Sequence, residues 1–341
     1  MIPAASPALQ PAPASDRPGD WKRQWREAVC DPRELLAMLG LESLASGLSA
    51  PAAARFALRV PRAFIARMAH GDPADPLLRQ VLPVLEEDRV VPGFVLDAVG
   101  DGAARAGHGV IRKYQGRALL VATGSCAINC RYCFRRHFPY AEETAAAGGW
   151  QEAVATIAAD PAIDEIILSG GDPLSLSTAK LAELTVALAT IPHVRRLRIH
   201  SRLPVVLPAR VDAELLAWIG ALPWPVAFVI HANHANEFDQ AVDAALARLR
   251  EAGALVLNQA VLLRGVNDSI DALAALSERS WQAGAVPYYL HQLDRVAGTS
   301  HFEVDDARAR ELHAGLAARL SGYLVPRLVR EVPGDSGKRP L

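Results

Sequence analysis

The chain has 341 residues, with 36 Lys+Arg against 37 Asp+Glu, a formal net charge of -1 and 51% hydrophobic residues. That much apolar material can bury a sizeable core and excludes a disordered chain, and the balanced charge gives no field for steering toward nucleic acid or an anionic membrane. No uncharged apolar run reaches the roughly 18 residues of a spanning helix. The opening MIPAASPALQPAPASDRPGD lacks the basic start and apolar core of a signal peptide, so residues 1–20 read as a flexible Pro/Ala-rich leader on a cytoplasmic protein.

Residues 21–115 read as an N-terminal helical extension. WKRQWREAVC predicts a helix that stops at Asp31-Pro32, and a second helix follows, closed by Gly40. FALRVPRAFIARMAHGDPADPLL adds short helical pieces around prolines. From residue 116 to 295 the texture changes to strand–helix alternation. β-rich runs recur at Ala118–Ala122, Glu165–Leu168, Arg196–His200, Val226–His231, Ala254–Leu263 and Val286–Leu290, with helical patterns between them. This order predicts an α/β fold with parallel strands and helices packed outside. Six units are too few for a closed eightfold barrel, which leaves an open partial barrel or a doubly wound sheet, with the chemistry at the C-terminal strand ends in either case. Polar residues fall there: Cys126, Ser169-Gly170-Gly171-Asp172, His200-Ser201-Arg202, His231, Asn258-Gln259 and Asp294.

Of the four cysteines, Cys30 stands alone in a helical pattern and reads as a buried inert thiol. Cys126, Cys130 and Cys133 are spaced Cys-x3-Cys-x2-Cys directly after an apolar strand. Three clustered thiols cannot pair off among themselves, and in a reducing compartment they point to metal or redox chemistry. Each can bind one iron of a four-iron cubane, leaving one iron open. Zinc is the alternative, with His137 as fourth ligand.

The stretch CAINCRYCFRRHFPY, with Tyr132 before the last cysteine, resembles the radical S-adenosylmethionine (SAM) signature, and in particular its lysine 2,3-aminomutase branch. The similarity runs through FALRVPRAFIARM, SGGDPL, RLRIHSRLP, HANHANE, LNQAVLLRGVND and PYYLHQLD. It is strongest toward the members that make β-lysine for elongation factor P. The resemblance implies a partial (β/α)6 TIM-like barrel over 116–295, with a C-terminal helix and a short segment binding pyridoxal 5'-phosphate (PLP) in 296–341. It implies a 4Fe-4S cluster on Cys126, Cys130 and Cys133, with SAM on its open iron. Gly170, Gly171, Asp172, Ser201, His231 and Gln259 would contact SAM. Asn258 and Gln259 are strand neighbours, so without a bulge only one can face inward, and Gln259 is the choice.

The resemblance further makes Lys338 the lysine that forms the Schiff base with PLP, and Lys113, Tyr114 and Arg117 its phosphate-binding stretch. Arg135 would clamp the substrate α-carboxylate, a two-pronged match for a guanidinium. Asp294 and Glu331 would hold the distal ammonium of L-lysine. Two departures stand out: Tyr132 occupies a position where larger members carry histidine, and Glu331 one where the family has aspartate. The expected activity is an isomerase converting L-lysine to β-lysine, fed by an external one-electron reductant and linked to the ligase that attaches β-lysine to elongation factor P. A radical SAM enzyme without PLP, or an aminomutase for another amino acid, are the competing readings.

Overall fold

The computed structural model describes residues 20–146 and 150–341; apart from Asp20, the Pro/Ala-rich leader lies outside them. Short helices α1 (Asp20–Arg26), α2 (Pro32–Met38), α3 (Ala50–Arg55), α4 (Arg62–Ile65) and α5 (Pro76–Arg79) open the chain. Asp31 caps α2 by accepting from Arg33 N, and Gly40 ends that turn at φ +67, as the Asp-Pro start and glycine stop require. The extension is not wholly helical. It closes on a small hairpin, β1 (Arg105–Gly107) and β2 (Val110–Ile111), that pairs antiparallel with β3 (Arg117–Thr123). Cys30 is exposed rather than buried, its thiol donating to the Ala28 carbonyl; it falls between helices, where no apolar face covers it.

The parallel strands follow: β4 (Glu165–Gly170), β5 (Arg196–Ser201), β6 (Val226–Ile230), β7 (Leu255–Val261) and β8 (Val286–His291). Each pairs in parallel with the next, beginning with β3 against β4. Helices α6 (Gln151–Ala158), α7 (Thr178–Ala189), α8 (Leu203–Val206), α9 (Ala213–Gly220), α10 (Gln240–Glu251) and α11 (Ile270–Gln282) lie between them. Ser177, Asp212, Asp239 and Ser269 cap α7, α9, α10 and α11 with side-chain oxygens, satisfying amide groups that a helix leaves unpaired at its start.

The sheet runs past residue 295. After α12 (Asp306–Arg319), β9 (Arg327–Arg330) adds in parallel to β8, and β10 (Arg339–Pro340) folds back antiparallel on β9. The ten strands lie in one sheet in sequence order, seven of them parallel. The sixth βα unit therefore has a strand to return to, which the expected boundary at 295 had cut off. On β5, Leu197 and Ile199 are buried in the apolar core while Arg198 and His200 turn to the other face, the two-residue period of a strand. Among the described residues no helix is long and apolar enough to cross a membrane.

Candidate active site

The cysteine loop leaves the C-terminal end of β3 and is clasped from both sides. On the barrel side, Gly171 N donates to Thr123 O at 2.7 Å and Asp172 N to Ser125 O at 2.8 Å. A Cβ on Gly171 would lie 2.6 Å from the Ser125 carbonyl oxygen, and Gly170 sits at φ +114. The glycine pair thus lets β4 approach the backbone of the loop, a nearer reason for both glycines than the contact to SAM that the resemblance implies. Gly171→Ala is expected to cost about 1–3 kcal/mol of stability by overpacking and to lower iron incorporation, measured by thermal unfolding and metal analysis; an unchanged melting temperature would contradict this clasp. On the other side, the N-terminal extension holds the loop: Asn129 N donates to Arg59 O at 3.1 Å and Arg131 N to Gln80 O at 2.8 Å. The fully buried Arg131 guanidinium is paired with Glu87 at 2.6 Å.

Asp172 and Ser201 are turned to each other. Ser201 Oγ donates to Asp172 Oδ1 at 2.7 Å, and Asp172 also accepts from the amides of Arg202, Leu203 and Leu174. Burial pushes this carboxyl up to about 6, against the pull of those donors. These contacts tie the ends of β4 and β5 together. Arg202 Nη1 donates to Cys130 Sγ at 2.7 Å.

Cys126, Cys130 and Cys133 are free thiols. Burial, with Asp172 nearby, drives Cys126 well above the ordinary thiol range, and burial with Cys130 nearby pushes Cys133 up to about 11. Metal loading must therefore expel protons. His137 Nε2 bonds the Ala297 carbonyl at 3.0 Å, and among the described residues no three His, Cys, Asp or Glu side chains converge on a point that would hold a single ion. The zinc arrangement is not assembled.

Beside the loop runs a chain of ion pairs. Arg135 Nε donates to Asp101 Oδ2 at 2.7 Å and its Nη1 to Ser169 Oγ at 3.1 Å. Lys113 Nζ stands 2.7 Å from Asp101 Oδ1 and 3.4 Å from Glu331 Oε1. Lys338 Nζ donates to Glu331 Oε2 at 3.0 Å and lies 5.6 Å from the Tyr289 ring centroid. These pairs bridge from the β3 side of the sheet to the β9 side. Arg135 with Lys113 offsets the burial of Asp101 and holds its carboxyl below the usual range. Lys338 and Tyr114 likewise outweigh burial at Glu331. Asp294 differs: burial, reinforced by Glu331 and opposed by Lys338, pushes it up to about 7. Asp101 belongs to no motif, and nothing along the chain singled it out.

The remaining candidates line the same interior. The Tyr114 hydroxyl is buried and interacts with Glu331, and Arg117 stacks on the Tyr114 ring at 5.1 Å. Arg117 also lines a cavity of about 790 Å3 at the N-terminal strand ends, away from the cysteines. Asn258 is bonded through Oδ1 and Nδ2 to the backbone of Ala232, whereas Gln259 Oε1 is buried with no partner. A register shift pairs Asn258 with Pro287 but Gln259 with Tyr289, so the extra residue sits in β8. His231 lies 5.8 Å from the His200 ring. Burial lowers His231 to about 4 and holds His200 and His291 well below the histidine range. Burial thus favours the neutral imidazole in all three.

A family model described as a 4Fe-4S single cluster domain matches residues 107–193, which contain all three loop cysteines. The L-lysine 2,3-aminomutase of Escherichia coli (strain K12) is 49% identical over 325 residues, 94% of each chain. The chain belongs to the lysine 2,3-aminomutase family. The L-lysine 2,3-aminomutase of Haemophilus influenzae is 43% identical, again over 94% of each chain. That of Clostridium subterminale is 31% identical over 94% of this chain and 77% of its own. Membership makes this a radical SAM isomerase of the aminomutase class, built on a mostly parallel α/β sheet.

Proposed function

We propose that the chain converts L-lysine to β-lysine, using a 4Fe-4S cluster, SAM and PLP with an external one-electron reductant, and that the product serves the ligase that modifies elongation factor P. The observation that carries this reading is the run of ion pairs from Arg135 through Asp101, Lys113 and Glu331 to Lys338. It gathers a guanidinium, paired acids and an amine able to condense with an aldehyde beside the cysteine loop. When bound, these cofactors would supply radical hydrogen-transfer chemistry for lysine C3 and a π-system for the shift of the amino group.

The residues fit those groups. Cys126, Cys130 and Cys133 offer three thiols on one loop, and Gln259 Oε1 is a buried acceptor awaiting a donor. With His231, Gly170, Gly171, Asp172 and Ser201 it forms the proposed SAM-facing wall. The buried Tyr114 hydroxyl is a donor suited to phosphate, with Lys113 and Arg117 as its charged companions. Lys338 is the amine that would hold PLP.

The chain's own work is binding and orientation. Arg135 has Nε and Nη1 engaged by Asp101 and Ser169, which fixes its plane and leaves Nη2 to meet the substrate carboxylate. Glu331 receives the Lys338 ammonium at 3.0 Å, a contact that the distal ammonium of a substrate lysine can replace in kind. Asp294 completes the acidic pair. The buried neutral histidines orient ligands by hydrogen bonding while adding no charge.

Asp294 gives a pH signature. Lysine carries its distal ammonium throughout the range, and Asp294 becomes a carboxylate only as pH rises through about 7. Affinity for lysine, read as kcat/KM, is therefore expected to rise across that interval. Asp294→Asn should remove this limb and weaken lysine use about 10-fold or more, the scale of a lost charged hydrogen bond. Retention of the full pH slope in that variant would exclude Asp294 as the titrating group. The overall reading is tested by anaerobic reconstitution with iron and sulfide, then incubation with lysine, SAM, PLP and dithionite. β-Lysine is the expected product by mass spectrometry. Its absence, with no borohydride-sensitive PLP band, would favour a radical SAM enzyme without PLP.

A further inference from the structure

We infer that Arg202 is a positioning residue for the cluster: its guanidinium donates a hydrogen bond to the Cys130 thiolate and makes the cluster easier to reduce. The inference rests on the reading that the three loop cysteines hold the cluster. Arg202 Nη1 lies 2.7 Å from Cys130 Sγ, and Cys130 is the one loop cysteine whose sulfur receives a side-chain hydrogen bond among the described residues.

The guanidinium is anchored through both terminal nitrogens, while its buried Nε has no partner among the described residues. Nη2 donates to Gln80 Oε1 at 2.7 Å and to Glu237 Oε2 at 2.8 Å, and the Arg202 amide donates to Asp172 Oδ2 at 2.7 Å. Its plane lies 5.4 Å from the Phe64 ring centroid and 5.7 Å from that of Tyr132. Glu237 is fully buried and held in turn by Asn233 N at 2.8 Å and Gln80 Nε2 at 3.1 Å. A guanidinium so anchored cannot swing away to solvent, and the motifs SGGDP, HSR and HANHANE meet in this one clasp.

A thiolate bound to iron keeps lone pairs that accept hydrogen bonds, and such bonds to cluster sulfurs are among the factors that set the potential. Adding an electron raises the negative charge on the cluster. A fixed donor and positive charge at one sulfur therefore stabilise the reduced form more than the oxidised form, and with little solvent present the effect is weakly screened. The Glu237 carboxylate binds Nη2 while the sulfur binds Nη1, so it fixes the donor without taking its place.

The test is an electron paramagnetic resonance titration of the reconstituted full chain, with iron and sulfide measured alongside. Arg202→Lys keeps the charge but not the fork. Arg202→Gln combined with Glu237→Gln removes both charges, so no buried carboxylate is left unpaired. The double variant is expected to shift the oxidised-to-reduced equilibrium about tenfold toward oxidised, a midpoint lowered by ~59 mV for one electron, with Arg202→Lys falling between. Wild type grown with isotopically labelled arginine needs no variant: a weak nitrogen coupling to the reduced cluster is expected. Absence of that coupling, or unchanged midpoints at equal iron content, overturns the inference while leaving the cluster reading intact. Wild type that takes up no iron and sulfide overturns both.

Discussion

Replacing any one of Cys126, Cys130 or Cys133 by alanine is expected to abolish lysine turnover and to lower bound iron and sulfide sharply. On the proposed reading each thiolate would serve a different iron, so the remaining two could not substitute for the third, and losing one would open a second iron to solvent. Two controls sharpen this result. Cys30→Ala alters an exposed thiol whose recorded contact is the Ala28 carbonyl, so stability should stay within about 0.5 kcal/mol and activity should not move. His137→Ala separates cluster from zinc. Its Nε2 is spent on Ala297 at 3.0 Å, so iron and sulfide content should survive its loss. Metal analysis showing stoichiometric zinc that disappears with His137 would overturn the cluster assignment.

The parts of this fold that were legible in the sequence share one physical cause. Parallel strands covered by helices carry apolar runs, which made most of β3 through β8 visible, whereas β5, RLRIHS, showed through its two-residue alternation. β9 was not: Arg327–Arg330 is four residues with arginine at both ends, and becomes a strand because β8 offers its edge. β10 and the β1–β2 hairpin are shorter still and exist through pairing alone. The Gly-His-Gly turn before Val110, with Gly109 at φ +69, was the available hint of a hairpin.

At the site, the cysteines were legible because their spacing is itself the chemistry. Arg135 was legible through the family resemblance, but its partner Asp101 was not. A buried guanidinium requires a carboxylate, yet nothing along the chain says which of the 37 Asp+Glu residues supplies it. The same holds for Gln80 and Glu237, which lie 122 and 35 residues from Arg202. The glycine pair was found through its expected contact to SAM, and its nearest neighbour in the fold is the loop backbone, which its position in the motif did not reveal.

Lys338→Ala is expected to reduce β-lysine formation at least about 10³-fold, the scale on which loss of an essential covalent residue acts, while cluster content stays at the wild-type level. Alanine alone leaves the cause ambiguous, because Lys338 also neutralises Glu331 at 3.0 Å. Its loss would leave Lys113, 3.4 Å from the other oxygen, as the remaining cation recorded against that carboxylate. Lys338→Arg resolves this. Arginine keeps a positive charge and hydrogen-bond donors for Glu331, but its guanidinium is not deprotonated in proteins and cannot condense with an aldehyde. If the residue acts through a covalent bond to PLP, both variants lose turnover alike, and borohydride no longer fixes the cofactor to the chain. If Lys338 is only an ion-pair partner, arginine restores activity. Arg339, one residue on and paired with Asp335 at 2.9 Å, is the position control: Arg339→Ala should retain both turnover and reductive fixation, because its exposed side chain is directed to Asp335 rather than into the chain of ion pairs that begins at Arg135.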